Sequence, residues 1–234
     1  MNNLNSIKII GKGTITNGEY EKVSILGEAV ALEEFHCDYL NVIGTCNLKG
    51  KVISNKVKIL GEAICEQVVT TDNKLEILGQ LKALEDYKAN KVEVLGQGIF
   101  NKNLFFGEMD IKGEIKVSKD CEGNVFNSRG KLEIDGLLSA EDIYINPNGI
   151  STINEIGGSK IIIKKKSLFS LRESIVISNV IEGDYIELDN TQCKIVRGHD
   201  VKILANCRID KVEYTGTLTV DKNSIVGEKT CLKN

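Results

Sequence analysis

Hydrophobic and polar positions along this chain fall into a phrase that recurs: hydrophobic, polar, hydrophobic, any residue, glycine. It reads IKIIG ending at Gly11, VSILG at Gly27, LNVIG at Gly44, VKILG at Gly61, LEILG at Gly79, VEVLG at Gly96, MDIKG at Gly113 and LEIDG at Gly136. Successive glycines stand 16, 17, 17, 18, 17, 17 and 23 residues apart, and a spacing that regular marks a structural repeat. Side chains on a strand alternate between faces, so each glycine can serve as an origin. Position minus four (Ile7, Val23, Leu40, Val57, Leu75, Val92, Met109, Leu132) and position minus two (Ile9, Ile25, Val42, Ile59, Ile77, Val94, Ile111, Ile134) face a core. Position minus three, between them, holds Lys8, Ser24, Asn41, Lys58, Glu76, Glu93, Asp110 and Glu133, and faces water. Beyond the glycine, plus two is mostly small (Gly13, Ala29, Cys46, Ala63) and plus four apolar (Ile15, Ala31, Leu48, Cys65), and both again face inward.

Two or three short strands per unit, corners at Gly or Asn/Asp, and like residues in register predict an all-β fold, a β-solenoid with coils of about 17 residues. A β-sandwich also has short alternating strands, but nothing in it keeps one residue type at one phase over eight units. Helical spacing in LKALEDYKANK (81–91) competes weakly, because the in-phase phrases on either side favour a strand there. Energetics require stacking. Each buried Ile, Leu or Val contributes roughly 1.5–3 kcal/mol, and about four per coil cannot offset the ordering of ~17 residues at ~1–2 kcal/mol each.

Residues 1–145 carry the regular repeat. The gap of 23 before Gly136 reads as an insertion, a loop protruding near DCEGNVFNSRG (120–130). The segment 146–159, NPNGISTINEIGGS, holds the only Pro, Pro147, and reads as a break or a change of stacking. Strand phrases resume over 160–234 with KIIIK, SIVIS, YIELD, VKILAN, VEYTG and LTVDK, as an irregular continuation or a second stack.

Composition narrows function. Trp is absent and only 5% of residues are aromatic, which disfavours sugar platforms. A formal net charge of −3 gives no electrostatic reason to expect nucleic acid. Apolar runs are far shorter than the ~20 residues of a membrane span, and the start MNNLNSIKII is not the pattern of an export signal. Seven cysteines without a CxxC pair, in a chain expected to be cytoplasmic, read as reduced thiols.

The pattern in LNVIGTCNLKGKVISNKVKILGEAICEQVVTTDNKLEILG resembles bactofilins, the polymer-forming cytoskeletal proteins of bacteria, and especially their longer Firmicutes branch. The resemblance covers residues 4–140 well and 160–222 loosely. It implies a right-handed β-helix with three faces that assembles end to end into nonpolar filaments, a scaffold at the inner face of the cell envelope whose partners are itself and envelope-associated proteins. The chain departs from the commoner pattern in lacking an apolar targeting segment before the first coil and Pro-rich tails, so direct membrane attachment is not expected.

No catalytic residue, cofactor or metal site is expected. The histidines, His36 and His199, have no partner recognisable in the sequence, and in His36–Cys37 one side chain points out and the other in. Cys46 and Cys65 read as small buried hydrophobes, the acidic residues of the minus-three column as a solvated face, and KIIIKKKS (160–167) with Arg172 likewise. Neither the six-residue aliphatic period of the left-handed acyltransferases nor their catalytic His is evident. The expected function is therefore a non-enzymatic, self-associating scaffold; the rivals are a solenoid enzyme acting on an activated sugar or cell-wall glycan and a monomeric β-helical binding module. Two surfaces are candidates for contact. Uncapped terminal coils carry Ile7 and Ile9 at one end and Leu218 and Val220 at the other. Position minus one (Ile10, Leu26, Ile43, Leu60, Leu78, Leu95) falls outside on strict alternation, as an apolar stripe about 24 Å long at the ~4.8 Å coil spacing. A turn at the glycine would instead tuck these residues into a corner of the core, and the corner is the preferred reading.

Overall fold

A computed structural model describes residues 4–165 and 174–232. Among the described residues there are 22 strands and no helix, and the strands stack in parallel as a β-solenoid. The chain divides into two compact units, one ending at Lys119 and one beginning at Asp120.

In the first unit, strands of four residues alternate with strands of eight or nine, as in Glu62–Cys65, Val69–Ile77, Gln80–Ala83 and Tyr87–Val94. Each pairs with its equivalents one coil away: Leu40 opposes Val57, Val57 opposes Leu75, and Leu75 opposes Val92. The longer strands skip one partner in the middle, as between Cys37–Ser54 and Tyr39–Lys56, and the nine-residue Val69–Ile77 shifts register there, so each coil offers three pairing segments. The reading of 81–91 as strand rather than helix holds: Tyr87–Val94 pairs on both edges.

The inward columns are as the alternation predicts from the second coil onward. Val23, Leu40, Leu75 and Val92 have no exposed surface, nor have Ile25, Val42, Ile77 and Val94. The first coil is looser, with Ile7 half-buried. Two further inward columns complete the core: Phe35, Val52, Val69, Tyr87 and Leu104, then Cys37, Ser54, Thr71, Ala89 and Phe106. The second mixes polar with apolar side chains because the polar ones find bonds inside. Ser54 Oγ donates to the Lys56 carbonyl at 2.9 Å, and Thr71 Oγ1 lies 3.1 Å from Tyr87 Oη. Tyr87 also meets Phe100 edge to face.

The repeated glycine is required by close approach. A Cβ built on Gly61 would lie 2.0 Å from the Gly44 carbonyl oxygen, and the same 2.0 Å recurs at Gly27, Gly44, Gly79, Gly96 and Gly113 against the glycine one coil back. The backbones at this corner are thus in contact, tied by bonds such as Leu60 N–H to the Val42 carbonyl at 2.8 Å and Glu62 N–H to the Gly44 carbonyl at 2.9 Å.

In the second unit the strands lengthen: Lys131–Ile145, Ile150–Ile163, Ile175–Leu188 and Thr191–Ile203 each run through a bend. The protruding loop expected at 120–130 is instead a strand, Cys121–Ser128, paired in register with Lys131–Ile145. The phase is kept by Gly130, which stands 17 residues after Gly113, and the gap of 23 arises from counting to Gly136. Gly130 escapes a hydrophobic search because Ser128 occupies its minus-two position, where the buried hydroxyl accepts the Gly130 N–H at 3.2 Å. Leu132 and Ile134 are core residues, but as the plus-two and plus-four positions of Gly130. Nor do residues 146–159 interrupt the stack: Ile150–Ile163 pairs with Lys131–Ile145 on one edge and Ile175–Leu188 on the other. Pro147 and Gly149 (φ 83°) lie in the short loop between strands, where Pro's missing N–H deprives no ladder of a donor. Corners after Leu188 and Ile203 use Asn190 (φ 49°) and Asn206 (φ 58°), the non-glycine residue that best tolerates the left-handed region.

Candidate functional site

At the glycine corner each coil's backbone lies against that of the coil before it, and the alternation of buried and outward positions runs unbroken up to the glycine. Position minus one therefore keeps the outward direction that alternation gives it. Ile10, Leu26, Ile43, Leu60, Leu78 and Leu95 are all exposed, from 41% at Leu78 to 71% at Ile10. The corner reading is thus overturned: the six form a continuous external row, one per coil, at ~4.8 Å intervals. Lys112 takes the same position in the next coil and ends the row.

Beside this row runs the minus-three column, half-buried rather than fully solvated over its later coils. Lys74 Nζ lies 2.6 Å from Glu76 Oε1 and 3.0 Å from Glu93 Oε2, and Lys58 lies 3.7 Å from Glu76. The Lys74 hydrogen bond holds the Glu76 carboxyl below its ordinary pKa, against a smaller opposing effect of burial. These acids are engaged by neighbouring lysines.

At the first described coil, Asn5–Ile9 pairs with Gly18–Ile25 and Lys12–Ile15 with Glu28–Ala31, each along one edge. Ile9 and Ile15 are buried above the inward column and Ile7 is half-buried. At the last, Leu218–Val220 pairs with Thr191–Ile203, and Ile225–Cys231 pairs with Arg208–Tyr214. Among the described residues the segment after Asp221 thus adds a strand to the terminal coil and does not fold back as a seal. Leu218 and Val220 are half-buried, as is Val226, which opposes the core residue Ile209. Lys229 opposes Val212, a residue with no exposed surface, so a lysine occupies a core position of the terminal coil. Neither hydrophobic periodicity nor motif marks that lysine; only the register does.

The remaining candidates separate. His36 Nε2 is 3.0 Å from Glu34 Oε1 at the surface, while Cys37 is buried with its thiol donating to Ser54 Oγ at 3.4 Å. Burial pushes the Cys37 thiol to about 11 and that of Cys46 to about 12. Cys65 is buried too, and six of the seven cysteines are sequestered, Cys231 alone being exposed. In the second unit His199 Nδ1 lies 2.9 Å from Thr215 Oγ1 at the edge of an open groove of about 630 Å³ floored by Gly158, Gly183 and Gly198. The groove's Arg197 is taken up by Glu213 at 2.7 Å and Glu182 at 3.6 Å. Of the lysine cluster, Lys160 sits over the Tyr144 ring and Lys164 pairs with Glu187 at 3.0 Å, while Lys166, Ser167 and Arg172 lie outside the described residues. Among the described residues no group of three His, Cys, Asp or Glu side chains is placed to hold a metal ion, and no helix is long and apolar enough to cross a membrane.

Stacked parallel coils, a stacked glycine corner and an external apolar row define a β-solenoid repeat protein. The chain belongs to the family of the uncharacterized protein YhbF of Bacillus subtilis (strain 168), to which it is 33% identical over 231 residues, 98% of each chain. It is also 39% identical to the uncharacterized protein YhbE of the same organism over 106 residues, 43% of this chain and 45% of that one. No family model matches the chain, and no solved structure does.

Proposed function

We propose that this protein is a non-enzymatic, self-assembling cytoskeletal scaffold of the bactofilin type, cytoplasmic and placed at the inner face of the cell envelope, whose first partner is another copy of itself. One observation carries the proposal: among the described residues, both terminal coils pair along one edge only, above an inward column of apolar side chains. A strand edge of that kind is a template for another strand, and a solenoid coil gains most of its burial from the coil next to it. Stacking of the coil holding Ile7 and Ile9 on its counterpart in a second copy continues both the hydrogen-bond ladder and the core. Lys229 makes the other terminal coil, with Leu218 and Val220, the weaker contact, since a charge in a core position must be desolvated on stacking.

Negative-stain microscopy and analytical ultracentrifugation of the purified protein test this role. Filaments or a concentration-dependent series of oligomers are expected, shortened by Ile9→Asp while the circular dichroism stays β-rich. A parent protein that stays strictly monomeric at high concentration would overturn it.

A further inference from the structure

The external apolar row lies on the side of the solenoid and is not used by end-to-end stacking. We infer that it is a lateral interface between two copies of this chain, packed row against row and antiparallel. The occupant follows from three features. First, the row is a ruler: six aliphatic side chains at the ~4.8 Å coil spacing find a surface of identical pitch on a second copy. Second, each row offers on the order of 500 Å² of apolar surface, so two rows bury about 1,000 Å² before flanking residues are counted, the threshold for a specific interface. Third, the flanking charges select the orientation.

A two-fold axis across the row sets the minus-three column of one copy against the same column of the other, reversed. Ile10, Leu26 and Ile43 then meet Leu95, Leu78 and Leu60 of the second copy. In the column beside them Lys8 faces Glu93 at both ends, Ser24 faces Glu76, and Asn41 faces Lys58, with no like charges opposed. A parallel pair instead sets the minus-three column against position plus one. Lys8 then meets Lys12 and Asp110 meets Glu114, with only Lys58 opposite Glu62 in its favour. Like charges in register are the stronger discriminator. Lys112 fixes the register as well, since sliding the antiparallel pair by one coil sets it against Ile10.

The experiment uses the full chain carrying Ile9→Asp and Val220→Asp, which remove stacking at both ends, and Cys231→Ser, which removes the exposed thiol. In that background light scattering is expected to give a dimer, and Leu60→Lys with Leu78→Lys to weaken it at least about 100-fold with thermal stability kept. Leu26→Cys and Leu78→Cys are then made separately. Under mild oxidation a mixture of the two is expected to cross-link while each alone does not. Swapping the charge with Lys8→Glu should weaken the dimer, and adding Glu93→Lys should restore it. A monomeric Ile9→Asp, Val220→Asp protein, or Leu26→Cys cross-linking to itself, would overturn the inference. A parent protein that forms the dimer but no filaments would overturn end stacking alone.

Discussion

At the scale of single residues the corner glycine is the most demanding position. Gly61→Ala puts a methyl 2.0 Å from a backbone oxygen that cannot rotate away, so a loss of about 4 kcal/mol or more is expected, seen as a collapsed thermal melt. Gly157→Ala is the control: its Cβ meets only Leu137 Cδ1, at 3.7 Å, and a change within about 1 kcal/mol is expected. Ile59→Asp or Ile77→Asp should abolish folding, because the carboxylate enters a column without a partner. Lys58→Ala, on the outward face with a 3.7 Å ion pair, should cost about 1 kcal/mol at most. Glu76 adds a pH signature. Its folded pKa is lowered, so its contribution is present above the unfolded value near 4.3 and lost as pH falls through the folded one. Glu76→Gln should flatten the fall of the melting temperature below about pH 4. Thiol labelling reads the core directly: one thiol, Cys231, should react in the native protein and all seven after denaturation. These inward and outward assignments were legible in the sequence wherever the column is uniform. They were not legible at Ser54, Thr71 and Ser128, because a buried hydroxyl that bonds its own backbone or a neighbouring phenol looks like a surface residue to any hydrophobic count.

Among the elements, the strand pairs of the first unit follow from an offset that stays near 17 residues, and Tyr87→Phe tests their third face. Removing the buried hydroxyl leaves Thr71 Oγ1 without its 3.1 Å partner and should cost about 1–2 kcal/mol in a denaturant melt. At the other end, Lys229→Val should lengthen assemblies in sedimentation by restoring an apolar residue opposite Val212. Unchanged assemblies would mean that the coil of Leu218 and Val220 is not a contact. The offset itself explains where the sequence reading went astray. Ile161 pairs with Ile186, 25 residues on, whereas Ile186 pairs with Val201 after only 15. Periodicity cannot anticipate such changes, because a corner adds or removes residues without disturbing the strands that it joins. The segments 120–130 and 146–159 were misread for a different reason. Glycine, proline and serine signal a turn whether they end a strand or bend it.

For the molecule as a whole, the double change Leu60→Lys with Leu78→Lys and the double change Ile9→Asp with Val220→Asp act on different surfaces, so their effects should be separable. The first is expected to leave thin filaments and the second lateral dimers, while the two together should leave monomers of unaltered β content. What the sequence by itself determined was the class of fold and the face of the strand residues in uniform columns. Alternation is imposed by covalent geometry at every peptide, and a repeated phrase forces like residues into one column. Only the tertiary structure decided the side of the corner on which Ile10, Leu26, Ile43, Leu60, Leu78 and Leu95 stand, and that Lys229 lies in a core position. Both depend on contact with the neighbouring coil. The stacked glycines hold the corner backbones against one another with the row beside them left exposed, and the register of Ile225–Cys231 on Arg208–Tyr214 sets the lysine over Val212.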